Sequence, residues 1–107
     1  MSQPPRSIGH ADQVFEQAAE LFSLMSSPIR LRIISTLCRG ELNVTQLLER
    51  VLATQPNMSQ HLSALYRAGV LARRRDGAQI YYRIGAQRAA AVCRAVCIDI
   101  AGAGSPE

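Results

Sequence analysis

The sequence predicts a mainly α-helical domain with one small β-hairpin, in the order α-α-β-α-α-β-β-α. Three observations predict it. Apolar residues recur at helical spacing through most of the chain. Proline, glycine, serine and threonine fall where helices start and stop. Near residue 76 the apolar period changes to two around an Asp-Gly pair, a strong hairpin signal because that turn needs positive φ.

Residues 1–10, with Pro4, Pro5 and Ser7, show no apolar period and are expected to form a flexible arm. Val14, Phe15, Ala18, Leu21, Phe22 and Met25 then mark an amphipathic helix over 11–25. Ser27 is a good cap and Pro28 suits a first helical position, so a second helix runs to about Cys38 and stops at Gly40. Glu41 to Val44 is long enough only for a small strand, and Thr45 is expected to cap a short helix reaching Val51. A fourth helix starts at Thr54 or Gln55 and ends at Gly69, its core stripe being Met58, Leu62 and Leu65. Val70 to Arg75 and Gln79 to Ile84 form the hairpin, in which Tyr81 and Tyr82 must face opposite ways. Ala89, Val92, Cys93, Val96 and Ile100 align on a closing helix over 86–101, and 102–107 is an expected flexible tail. One domain, 11–101, is therefore expected.

A chain of 107 residues, 48% of them apolar, supplies one core and little more, so help from a partner subunit is expected. No apolar run nears the roughly 20 residues a bilayer requires, and the N-terminus lacks a signal-peptide pattern, so the expectation is a cytoplasmic protein without a membrane partner. A glycine-rich phosphate loop and a paired-carboxylate motif are both lacking, and His10 and His61 lie in the arm and on the fourth helix, which argues against an enzyme.

All twelve basic residues are arginine, against eight carboxylates, a net charge of +4. Residues 1–66 balance five Arg with five acids, whereas 67–107 hold seven Arg and three acids. The excess gathers at Arg67, Arg73, Arg74, Arg75 and Arg83, a local patch suited to a polyanion because guanidinium grips phosphate with paired donors. The third and fourth helices form a helix-turn-helix pattern. Gln55, Asn57, Ser59, Gln60, His61, Ser63 and Arg67 are candidate contacts to a DNA major groove, where amide side chains pair with adenine. Arg73, Arg74, Arg75 and Gln79 would follow the backbone from the hairpin or reach the adjacent minor groove, acting as a wing. For His61 a structural hydrogen bond stands equally open. A winged module that binds protein instead of DNA is the rival reading.

Leu31-Arg32-Ile33-Ile34, Glu41-Leu42-Asn43-Val44, Gln55 to Leu65, Ala68-Gly69-Val70-Leu71 and Tyr81-Tyr82-Arg83-Ile84 resemble the ArsR/SmtB family of winged helix-turn-helix repressors over residues 12 to 100. The resemblance implies a homodimer joined through its first and last helices, bound to a palindromic double-stranded DNA operator and released by an inducer. Arsenic and cadmium sensors of that family carry a Glu-Leu-Cys-Val-Cys-like segment where this chain has Glu41-Leu42-Asn43-Val44-Thr45. The zinc site of other members needs Asp and His on the last helix, which here offers only Asp99.

Cys38, Cys93 and Cys97 remain, the last two at a spacing that sets both thiols on one helical face. Some relatives oppose a cysteine of the second helix to one of the last and crosslink them when oxidants or reactive sulfur arrive, which implies a comparable sensor here. Three thiolates can instead take arsenite or a soft metal ion. Inert packing is the third reading, since free cysteine is among the most buried residue types.

Overall fold

A computed structural model describes residues 9–103, so the arm before residue 9 and the tail after residue 103 lie outside the described residues. The elements are α1 (His10–Met25), α2 (Pro28–Leu37), β1 (Leu42–Asn43), α3 (Val44–Arg50), α4 (Gln55–Arg67), β2 (Leu71–Asp76), β3 (Gln79–Ile84) and α5 (Gln87–Ala103). Their order is the one predicted, although α5 continues two residues beyond the predicted end, through Gly102 and Ala103.

Ser27 begins α2 by accepting the Arg30 N–H at 3.3 Å, and Pro28 occupies its first turn. The start of α3 differs from expectation. Asn43, not Thr45, is the cap: its side-chain oxygen accepts the Gln46 N–H at 2.8 Å, and the Gln46 side chain accepts the Asn43 N–H at 2.9 Å. This reciprocal box satisfies two donors at once, and it begins at the last extended residue of β1, which leaves Thr45 inside the first turn.

The sheet has three strands, not the two of an isolated hairpin, in the order β1-β3-β2. Leu42 pairs with Tyr82 and Asn43 with Tyr81, so β1 covers the edge that β3 would otherwise expose. Asp76 opposite Gln79 closes the β2–β3 ladder, and Gly77 supplies the turn's positive φ of 64°. Where β3 leads into α5, a Cβ on Gly85 would meet the Gly69 carbonyl oxygen and the Leu71 carbonyl carbon at 3.0 Å, so only glycine lies comfortably there.

Ile33, Ile34 and Leu37 of α2 meet Leu47 of α3 and Met58, Leu62 and Leu65 of α4 in one core, closed by Leu71, Tyr82, Ala89 and Cys93. The end helices join it only in part. From α1 Met25 is buried and Leu21 and Leu24 pack at the core's edge, while Phe15 is 72% and Phe22 56% exposed. Val96, Ile98 and Ile100 of α5 are likewise exposed, so Val96 and Ile100, two positions of the predicted apolar stripe, lie outside the core of the described residues.

Candidate nucleic-acid interface

Helix α4 is fixed from behind. Met58, Leu62 and Leu65 are fully buried, and Thr54 caps the helix by accepting the Asn57 N–H at 3.3 Å. With that face anchored, Gln55, Asn57, Ser59, Gln60 and Arg67 stand exposed, while Ser63 and His61 are half-buried.

His61 makes the structural hydrogen bond that the sequence left open. Its Nδ1 accepts Arg30 Nε at 3.0 Å, and Arg30 Nη1 donates to the Leu24 carbonyl at 2.9 Å, so one guanidinium ties the end of α1 to the middle of α4. Burial, and then the Arg30 charge, hold the His61 pKa below its ordinary value of 6.5. The folded state therefore favours neutral imidazole. Its contribution to stability is complete above pH 6.5 and is lost as pH falls through the depressed value, because the unfolded chain takes the proton first. A melting temperature followed from pH 8 to 5 should fall more steeply for the native chain than for His61→Gln, whose amide oxygen still accepts from Arg30 without titrating. Parallel curves would show that His61 carries no such linkage.

The three wing arginines, alike in sequence, have three different environments. Arg73 lies over the Tyr66 ring, 3.9 Å from its centroid, and donates to the Tyr82 hydroxyl at 3.4 Å. Arg74 Nε donates to both carboxylate oxygens of Glu41 at 3.0 and 3.1 Å, and its guanidinium sits 4.7 Å from the Tyr81 centroid. That hydrogen bonding holds the Glu41 carboxyl below its ordinary pKa. Arg75 has no ion pair or side-chain hydrogen bond among the described residues and is exposed, as is Gln79 beyond the tip. Sequence reasoning missed Glu41, Tyr66 and Arg30. Only the aromatic at the end of the fourth helix gave any local hint, since the ion pair joins residues 33 positions apart.

The cysteines are free and unequal: Cys93 is buried, Cys38 half-buried and Cys97 exposed. Cys93 Sγ donates to the Leu31 carbonyl at 3.5 Å and lies 4.0 Å from Cys97 Sγ, whereas Cys38 Sγ accepts from Arg94 Nη1 at 3.6 Å. Burial, reinforced by the neighbouring Cys97, pushes the Cys93 thiol up to about 11. Among the described residues no group of three His, Cys, Asp or Glu side chains is placed to hold a metal ion, so they do not assemble the three-thiolate centre that was one of the three readings of these cysteines. Cys38, just beyond the end of α2, is engaged with Arg94 instead.

Residues 27–73 match the profile of the family described as "Bacterial regulatory protein, arsR family". The biofilm growth-associated repressor of Xylella fastidiosa is 35% identical over 80 residues, which span 75% of this chain and 70% of that protein. The probable mercury resistance operon repressor of Streptomyces lividans is 33% identical over 75 residues, spanning 70% of this chain and 60% of that one. Among solved structures, the transcriptional repressor BigR from Xylella fastidiosa superposes with a TM-score of 0.76 at 32% identity, covering 80% of this chain and 88% of its own.

Proposed function

The chain belongs to the ArsR family of bacterial regulatory proteins, DNA-binding transcriptional repressors, and from that premise we propose that it works as a homodimer on a palindromic operator and is released by a thiol-directed signal. The exposed polar row of α4, held beside an unpaired Arg75, carries this reading. Gln55, Asn57 and Gln60 read base edges, and Ser59, Ser63, Arg67, Arg75 and Gln79 meet phosphate and sugar. Arg73 and Arg74 hold the wing in shape, and His61 orients α4 through Arg30. The bare apolar faces of α1 and α5 support their joining two copies, which sets the two reading helices roughly 34 Å apart, one turn of DNA.

Salt titration of operator binding tests the DNA half. Arg75→Gln should weaken every duplex alike and lower the log–log salt slope by about one, the signature of one lost phosphate contact. Arg74→Gln should leave that slope alone, because its guanidinium is engaged by Glu41. The same slope for Arg75→Gln as for the native chain removes the wing from the interface.

The signal half rests on Cys93 and Cys97. Hydrogen peroxide would oxidise the exposed Cys97 thiol to a sulfenic acid with loss of water, and the Cys93 thiol, giving up its proton as it attacks that sulfur, would then expel the hydroxyl as a second water and leave a disulfide. Closing 4.0 Å to the roughly 2.05 Å of an S–S bond draws Cys93 from the Leu31 carbonyl and shifts α5 against α2. A shift worth about 1.4 kcal/mol between bound and free forms changes operator affinity tenfold. A soft metal ion on the same two sulfurs is the second reading, favoured by the mercury-resistance relative. Peroxide and mercuric ion should each reduce operator binding of the native chain and spare Cys97→Ser. If Cys97→Ser is released as readily as the native chain, the Cys93–Cys97 pair is not the sensor.

A further inference from the structure

One cavity lies apart from α4 and the wing and touches the proposed sensor only through Cys97. It measures about 520 Å³ and is walled by α2, the end of α3 and Cys97 of α5, with no contribution from α4 or the wing. Arg32 of α2, Arg39 in the turn after it and Arg50 of α3 line it, together with Ser35 and Thr36. No carboxylate lines it, and none of the three guanidiniums forms an ion pair or donates a side-chain hydrogen bond among the described residues. The Thr36 hydroxyl turns back to the Arg32 carbonyl at 2.7 Å, while that of Ser35 has no protein partner among the described residues.

We propose that this cavity binds a small, multiply charged oxyanion, a carboxylate or a phosphate. Three like charges gathered around one hollow repel one another, and an anion seated among them removes that cost. Guanidinium is the side chain best shaped for such a ligand, because its planar fork donates two parallel hydrogen bonds to a carboxylate or phosphate. The volume suits a small molecule. The guanidiniums come from α2, the turn after it and α3, the first helix of the helix-turn-helix, so an anion held by all three favours one setting of α3 against α2 and makes the site a second input to operator affinity. The binding claim holds without the operator reading; the regulatory claim rests on it.

Calorimetric titration of the full chain with citrate and with inorganic phosphate at low ionic strength tests the site. Saturable binding at one site per chain is expected, weakened about tenfold for each of Arg32→Gln, Arg39→Gln and Arg50→Gln, as one lost charged hydrogen bond predicts. Ser35→Trp, which fills the hollow and keeps every charge, should abolish binding, whereas Arg88→Gln on the exposed start of α5 should not change it. Binding of citrate alone identifies a carboxylate ligand, and binding of phosphate alone a phosphate ligand. The proposal is overturned if neither probe saturates, if Ser35→Trp binds as well as the native chain, or if Arg88→Gln weakens binding as much as the others. A lower operator salt slope in the triple arginine variant, with no anion bound by the native chain, would instead reassign these residues to the DNA backbone. Operator binding by the same preparations separates failure of this site from failure of the repressor reading.

Discussion

Replacing Asn57 and Gln60 together by Ala should erase about two orders of magnitude of preference for operator over unrelated duplex, since each bidentate base contact is worth roughly 1–3 kcal/mol of discrimination. Three positions apart, the two amides share one face of α4, and both are exposed beside the helix's capped start. Met58, lying between them in sequence, is wholly buried, so the helix keeps its place when they are truncated. Alanine is also the better helix former. Lost contacts, not lost structure, should therefore set the result. Competition titrations at one fixed salt concentration, operator against scrambled duplex, give the measurement. If both affinities fall by the same factor, the amides touch only the sugar-phosphate chain.

The largest loss of stability is expected from Leu62→Ala. Leu62 has no exposed surface and belongs to the core that α2, α3 and α4 share. Removing its branched end costs about 2–5 kcal/mol in transfer and cavity terms, against a total stability of about 5–15 kcal/mol for a typical domain. The melting midpoint should drop by at least about 8 °C, at roughly 4–8 °C per kcal/mol for a domain of this size. Leu52, in the turn before α4 and 94% exposed, provides the contrast. Its alanine variant should melt within about 0.5 kcal/mol of the native chain. A loss under about 1 kcal/mol at Leu62 would mean that the core reads differently from its packing.

Local patterns were legible because they rest on neighbours. The stripe of Met58, Leu62 and Leu65, the Ser27-Pro28 start and the Asp76-Gly77 turn each depend on residues within a few positions, and each lies where periodicity and turn chemistry put it. The Asn43 cap was misassigned for an equally local reason. Thr45 and Asn43 are both good caps, and the choice went to the one that β1 leaves extended by pairing with β3, a partner far away in sequence. Within the candidate interface, the exposed amides of α4 could be listed from the chain alone. Engagement of Arg74 by Glu41 and of His61 by Arg30 could not, because those partners lie 33 and 31 positions apart, whereas Arg73 and Tyr82 are nine apart and directly opposed across the hairpin, within reach of its register. Nor could periodicity tell that the stripes of α1 and α5 would stay partly bare, since it marks an apolar face without naming what covers it.

Asn43 belongs at once to the sheet and to the start of α3, and Glu41 just before it clamps the wing through Arg74. Hairpin and α3 are thus riveted to a common frame. In the proposed homodimer, an inducer acting from α2 or α5 would therefore be expected to move hairpin and α3 together against the second copy.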